Sequence, residues 1–148
     1  MKIKVKKVYY CDYCKKHGLS ASSILNHEKH CTLNPKRECG GCKDWRENIK
    51  QIKYVEKHYK ILQSHKDKDS GGITRTFVAE FEDKIKDLAD KVDCPFCMLA
   101  ILRQSNTEKS WANYNYKEEV EKHWERKNEE AQQDEMDEMR YEFESSQL

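Results

Sequence analysis

The sequence predicts a mainly α fold, and three observations carry that prediction. Five Gly and two Pro in 148 residues are too few for the tight turns of an all-β chain. Large apolar residues recur at helical spacing over two stretches: Trp45, Ile49, Ile52, Val55, Tyr59 and Leu62, then Phe77, Phe81, Ile85, Leu88 and Val92. Finally, C-x2-C pairs bracket those stretches, Cys39 and Cys42 before them and Cys94 and Cys97 after. An antiparallel pair of helices would bring these two pairs together at its open end.

Composition leaves little apolar material for a core. Only 36% of residues are hydrophobic and 37% are charged, with a mean hydropathy of -1.09, so something besides burial must help stabilise the fold. The chain opens without a secretory leader pattern, and its longest apolar run, MLAIL at 98 to 102, is far below the roughly 20 residues that span a bilayer. The expectation is a cytoplasmic protein that meets no membrane. In a reducing compartment, seven cysteines are expected to be metal ligands rather than disulfide partners. Charge is unevenly spread. Residues 1 to 37 hold nine Lys/Arg against Asp12 and Glu28, a balance of +7, and residues 117 to 148 hold five Lys/Arg against twelve Asp/Glu, a balance of -7.

Taken in order, MKIKVKKVYY alternates Ile3, Val5 and Val8 with lysines and reads as a short strand. Ser20 to Ser23 can cap a helix carrying Ile24, His27 and Cys31, which Pro35 ends. CGGC at 39 to 42 opens the hairpin: a helix over 43 to 64, a polar loop HKDKDSGG, and a helix over 74 to 92 capped by Thr74 or Thr76. Pro95 suits the first turn of a short buried helix through MLAILRQ. A polar connector carrying Trp111, Tyr114 and Tyr116 leads to a long charged helix from about Lys117 to Phe143. Val120 and Trp124 can anchor one end of that helix; beyond residue 130 it has little to bury. The organisation expected is a basic module over 1 to 37, a clamped helical hairpin over 38 to 110 and an acidic helix or tail over 111 to 148.

Thiolates and imidazole together make the usual tetrahedral zinc shell. Cys11, Cys14, His27 and Cys31 offer C-x2-C on a turn and H-x3-C on a helix, and residues 27 and 31 lie one helical turn apart. His30 is an alternative ligand. The second set is Cys39, Cys42, Cys94 and Cys97. Helices over 43 to 64 and 74 to 92 would run about 33 Å out and about 28 Å back at 1.5 Å per residue, returning Cys94 to Cys42. Two zinc ions are therefore expected. A treble-clef arrangement, with YVEKHYKIL and ITRTFVAEF as a β-hairpin, predicts the same four ligands. C-P-F-C also matches a redox dithiol, but that motif needs a strand before it and a βαβ unit around it, and a charged amphipathic helix precedes it here.

Tyr9-x-Cys11-x2-Cys14-x12-His27-x3-Cys31 resembles a classical two-Cys two-His zinc finger with Cys in the last position. The aromatic residue two before the first Cys and Ile24 three before the His match as well. The resemblance covers about 23 of 148 residues and implies a small ββα finger. It departs from the family in mid-finger, where Gly18 and Leu19 stand in place of a large aromatic. The segments NPKRECGGC and CPFCMLAILRQ are similar to those of small zinc-finger proteins of bacteriophages and their hosts, a group with no agreed activity.

Zinc enzymes keep an open coordination position, whereas both proposed shells are filled by protein, so a non-catalytic protein without a small-molecule substrate is expected. Phage HNH nucleases place two C-x2-C pairs around a catalytic core, but their His, Asn, His signature is not visible: His58 and His65 fall in a Lys-rich helix and a loop. The SGG of 70 to 72 lacks the Lys-Ser/Thr step of a phosphate cradle. If the finger docks as its family does, Ser20, Ser22, Ser23 and Asn26 would face bases, none of them Arg, and one finger reads about three base pairs. Binding of low specificity is then expected through phosphate contacts of Lys2, Lys4, Lys6, Lys7, Lys15, Lys16, Lys29, Lys36 and Arg37. The bland alternative is a solvated basic face. The reading is a two-zinc adaptor or regulatory protein of phage type, associated with nucleic acid. The alternative is a protein-interaction module docking through Trp111, Tyr114, Tyr116 and Trp124 or through the acidic tail; a further arrangement has that tail fold back on the basic head and mask it from nucleic acid.

Overall fold

A computed structural model of the chain describes residues 1–107 and 113–146. They fall into two units, Met1–Tyr114 and Asn115–Leu148. The first is built from short pieces. Strands β1 (Tyr9–Tyr10) and β2 (His17–Gly18) pair antiparallel, Tyr9 opposite Gly18 and Tyr10 opposite His17. Helix α1 (Ala21–His30) follows, with Ser20 Oγ accepting the Ser23 N–H at 3.4 Å as its cap. Its last turn carries Lys29, favourable against the negative end of the helix.

The strand expected from the alternation of Ile3, Val5 and Val8 is not formed. Residues 1–8 lie outside any element, and those three side chains are 82%, 96% and 42% exposed. Alternation makes a strand only where a neighbour supplies ladder bonds and a face to bury against. Nor does Pro35 end α1. The chain leaves the helix at Cys31, whose N–H still bonds Glu28 O, and Asn34 then organises the exit, its Nδ2 donating to Glu28 O at 2.7 Å and its Oδ1 accepting from Lys36 N at 2.8 Å.

The helix expected over 43 to 64 is broken into α2 (Trp45–Asn48) and α3 (Gln51–Ser64). A tighter bond, Ile52 N to Ile49 O at 3.1 Å, marks the break. Trp45, at the start of α2, is anchored the other way, its indole Nε1–H donating to Pro35 O at 3.0 Å. Helix α4 (Arg75–Val92) returns antiparallel to α3, as the hairpin reading requires, and the β-hairpin alternative is excluded by helix on both sides. The intervening turn closes with Asp67 N to Gly72 O at 2.7 Å and Gly71 at φ 69, where glycine is at home.

Asp93 ends α4 in the left-handed conformation at φ 52, and Pro95 opens α5 (Pro95–Gln104) in its first turn. Helix α5 packs against both α3 and α4. The core they share is Val55, Tyr59 and Leu62 from α3, Phe81, Ile85, Leu88 and Val92 from α4, and Met98, Ala100, Ile101 and Leu102 from α5. The expected module boundary at residue 37 is bridged. Arg103 Nη1 donates to Thr32 Oγ1, and Gln104 Nε2 to Thr32 O, both at 2.8 Å.

The second unit is helix α6 (Tyr116–Ser146), 31 residues and about 46 Å long. His123 is its one buried residue among those described. Its N-terminal half carries ion pairs at helical spacing, such as Lys122 to Glu118 at 2.8 Å and Lys127 to Glu130 at 2.7 Å. No described helix is long and apolar enough to cross a membrane. Trp111 lies outside the described residues, and Tyr114 packs against the core of the first unit rather than standing clear of it.

Candidate metal centres

Two groups of four ligand atoms come together, Cys11, Cys14, His27 and Cys31 in one and Cys39, Cys42, Cys94 and Cys97 in the other, each with its atoms within 4.8 Å of one another. The first is assembled locally. β1 and β2 hold the ends of a tight turn, closed by Cys11 N to Lys16 O at 2.9 Å, which presents Cys11 and Cys14. Helix α1 presents His27, and the residue leaving it is Cys31. Cys14 Sγ stands 3.2 Å from His27 Nε2. Backbone amides turn inward on the sulfurs, Tyr13 N to Cys11 Sγ and Lys16 N to Cys14 Sγ, both at 3.4 Å. Such bonds stabilise thiolate and fix its direction, as the groups around a metal's ligands generally do. His30 is excluded as the alternative ligand: it is exposed, and its Nδ1 lies 3.0 Å from Glu38 O.

The second centre is assembled from a distance. Cys39 and Cys42 sit on the turn before α2, Cys94 and Cys97 on the first turn of α5, and the hairpin brings them together: Cys39 Sγ to Cys94 Sγ is 3.6 Å and Cys42 Sγ to Cys97 Sγ is 3.4 Å. A disulfide would need about 2 Å. Four sulfurs placed about 2.3 Å from a tetrahedral zinc stand roughly 3.8 Å apart, which the cluster approaches. The donor sets, three thiols with one imidazole and four thiols, are those zinc takes in closed structural sites. All seven cysteines are free of disulfides.

Electrostatics favours a cation at both. At the first centre, burial opposes the Cys14 thiolate, but the Lys16 N–H and the Cys11 and Cys31 thiols outweigh it and the net shift is downward. Burial pushes Cys31 up to about 11. Burial, helped by the charge of Lys16, lowers the pKa of His27 and so favours the neutral imidazole that binds metal. At the second centre, bonds from Cys94 and Cys97 hold Cys39 far below the ordinary thiol range. Cys94 is pushed up to about 12 by its bond to Cys39, and Cys97 is raised by its bonds to Cys39 and Cys94. A knot of thiols this tight accommodates one negative charge and resists more. A divalent cation at its centre lifts that resistance, so metal binding and thiol deprotonation are coupled.

The sequence does not mark the packing around the second centre. A Cβ added at Gly41 would overlap Phe96 Cδ2 and Cε2, whereas one at Gly40 meets nothing within 4 Å. Of the two glycines in CGGC, the second is the one whose bareness lets the turn approach α5.

The basic residues divide. Lys2, Lys4, Lys6, Lys7, Lys15, Lys16, Lys29 and Lys36 are all exposed. Arg37 is not. It is 6% exposed, its guanidinium lies 5.2 Å from the centre of the Trp45 ring, and its Nη2 donates to His30 O at 3.4 Å. Arg37 is thus part of the packing between the first centre and the hairpin, and is removed from the set available to phosphates. Of the residues expected to face bases, Ser22 and Asn26 line an open cleft.

Comparisons of the chain with family models, with curated proteins and with solved structures returned no match.

Proposed function

We propose that the protein is a non-catalytic two-zinc adaptor or regulatory protein whose N-terminal centre, similar to a classical zinc finger, carries a basic face to nucleic acid. One observation supports this most: eight lysines of the first 36 residues are exposed, Lys15, Lys16, Lys29 and Lys36 of them on the segments that build or leave a metal centre whose four ligand positions are filled by protein. With both shells closed, zinc has no position left for substrate or water, so its role is to hold the fold. The lysines, set among Asp12, Glu28 and Glu38, then leave a surplus of positive charge suited to phosphates without sequence preference. The phage-type setting and a cytoplasmic location belong to this proposal and rest on the likeness of NPKRECGGC and CPFCMLAILRQ to small phage zinc-finger proteins. The test is a gel shift of zinc-loaded protein with mixed-sequence nucleic acid at 50 and 200 mM salt. Binding that falls steeply between the two supports the reading; no binding at 50 mM overturns it.

A second reading, docking on a protein, is favoured by α6. Met136, Met139 and Phe143 are 50%, 57% and 63% exposed and fall on one helical stripe, flanked by Asp and Glu. Trp124, also 50% exposed, lies a little over three turns before Met136 on the same helix. Removal of residues 130 to 148, which hold seven Asp/Glu against Arg140 alone, should leave the melting of the first unit unchanged. If nucleic-acid affinity is also unchanged while a protein partner is lost, the helix is the docking element.

A further inference from the structure

Between α1 and the segment that follows it lies an open cleft of about 540 Å³, walled by Tyr13 and Leu25, with Asn26 and Lys29 on α1 and Lys36 and Glu38 across from them. The backbone of both walls is held in place. The Tyr13 N–H donates to Cys11 Sγ, and the far wall is tied back to α1 by Glu38 N to Lys29 O and by Asn34 Nδ2 to Glu28 O, both at 2.7 Å. Tyr13 and Leu25 are nonetheless 40% and 61% exposed, so a ring and an aliphatic side chain stand ready beside an amide and two ammonium groups. We infer that this cleft receives an unstacked nucleobase, and that the nucleic acid bound is single-stranded. The inference rests on the nucleic-acid reading above.

The chemistry argues for this orientation and against a duplex. Glu28 and Glu38 also line the cleft and repel a phosphate inside it, but a carboxylate accepts from the amino groups of a base edge. The base therefore enters, stacked on Tyr13 with Asn26 at its edge, and the phosphates remain on Lys29 and Lys36 at the rim. Stacking on an aromatic is independent of sequence, which suits a face with no arginine on α1. A duplex read in the family's manner would place α1 in a major groove about 12 Å wide. Here Asn26 shares its cleft with the segment carrying Lys36 and Glu38, so the groove would have to take both.

The test is fluorescence anisotropy of full-length, zinc-loaded protein with a labelled 15-nucleotide strand of mixed sequence and with the 15-base-pair duplex it forms with its complement, at 50 mM salt. The single strand should bind at least tenfold more tightly. Tyr13→Ala should weaken single-strand binding about tenfold, within the usual worth of one stacked base, with duplex binding unchanged; Tyr13→Phe should restore it, because stacking does not use the hydroxyl. If Tyr13→Ala loses zinc, Lys29→Ala with Lys36→Ala decides, and must weaken the single strand more than the duplex. Equal or tighter duplex binding overturns the inference and leaves the nucleic-acid reading standing, as does a single-strand preference indifferent to both variants. Binding of neither form overturns both.

Discussion

The two metal centres hold the same number of ligands and organise very different amounts of protein. The first joins residues 11 to 31, and the buried cluster around it is Cys11, Ile24 and Cys31. The second joins positions 55 apart in the chain and is continuous with a core of fourteen buried residues, from Trp45 to Leu102. In the first, metal ligation stands in for a core. In the second, it closes a core that already exists. A small module that buries one isoleucine cannot offset the entropy of ordering its chain, so its fold and its metal are one equilibrium. The hairpin has apolar surface to bury, and zinc there fixes which ends meet.

The largest expected effect is therefore an unequal one. Cys94→Ser should lower the stability of α3, α4 and α5 together and cost more helical signal than any change at the first centre, because these helices, 14, 18 and 10 residues long, share the core whose end it leaves open. Structural zinc is worth roughly 10–16 kcal/mol in small modules, comparable to the whole stability of a domain. Cys14→Ser should cost only the ten residues of α1. Circular dichroism with zinc analysis reads both. Equal helix loss would mean that the two centres fold as one.

Next in size is a core truncation in each region. Ile101→Ala, at a site with no exposure, should lower stability by about 2–5 kcal/mol and leave the N-terminal zinc in place. Ile24→Ala should do the reverse, weakening zinc retention at the first centre against a chelator while the main thermal transition stays put. A shift of the main transition by Ile24→Ala would break the comparison.

A finer contrast lies within CGGC. Gly41→Ala forces a methyl onto the Phe96 ring and should cost about 1–3 kcal/mol, with faster zinc release from the second centre. Gly40→Ala should stay within about 0.5 kcal/mol. Denaturant titration of both variants checks this, and equal costs would mean the turn and α5 do not press together as described.

How much of this was legible in the sequence follows the same division. The eight ligands were, because C-x2-C and H-x3-C spacings encode local geometry, and the helical spacing of Val55, Tyr59, Phe81, Ile85 and Leu88 encodes one buried face. That the Cys94, Cys97 pair returns to the Cys39, Cys42 pair followed from matched helix lengths; which sulfur faces which did not, since Cys94 was expected beside Cys42 and stands beside Cys39. Contacts that depend on a third segment left no periodic trace. Arg37 reads as one more cation in a basic stretch, and only the nearby Trp45 ring and His30 carbonyl make it interior. The break at Ile49 and Lys50 is equally silent, since apolar spacing continues through it. Ile3, Val5 and Val8 show the converse: a strand pattern without a partner strand among the described residues.

The smallest expected effect concerns the seam between the regions. Trp45 is 3% exposed, donates to Pro35 O at 3.0 Å and lies under the Arg37 guanidinium, so it touches the chain leaving the first centre while belonging to the core of the second. Trp45→Phe keeps an aromatic ring in place and removes the N–H. The Pro35 carbonyl then loses its donor and the face offered to Arg37 shrinks, a loss of about 1 kcal/mol, or roughly fivefold in an equilibrium constant. Because the seam restrains both sides, the hairpin should melt slightly earlier and the first centre should lose zinc to a chelator up to about fivefold faster. A change confined to melting would make Trp45 an ordinary core residue. A change in both would show that two centres of unequal reach still constrain each other through one indole and the arginine above it.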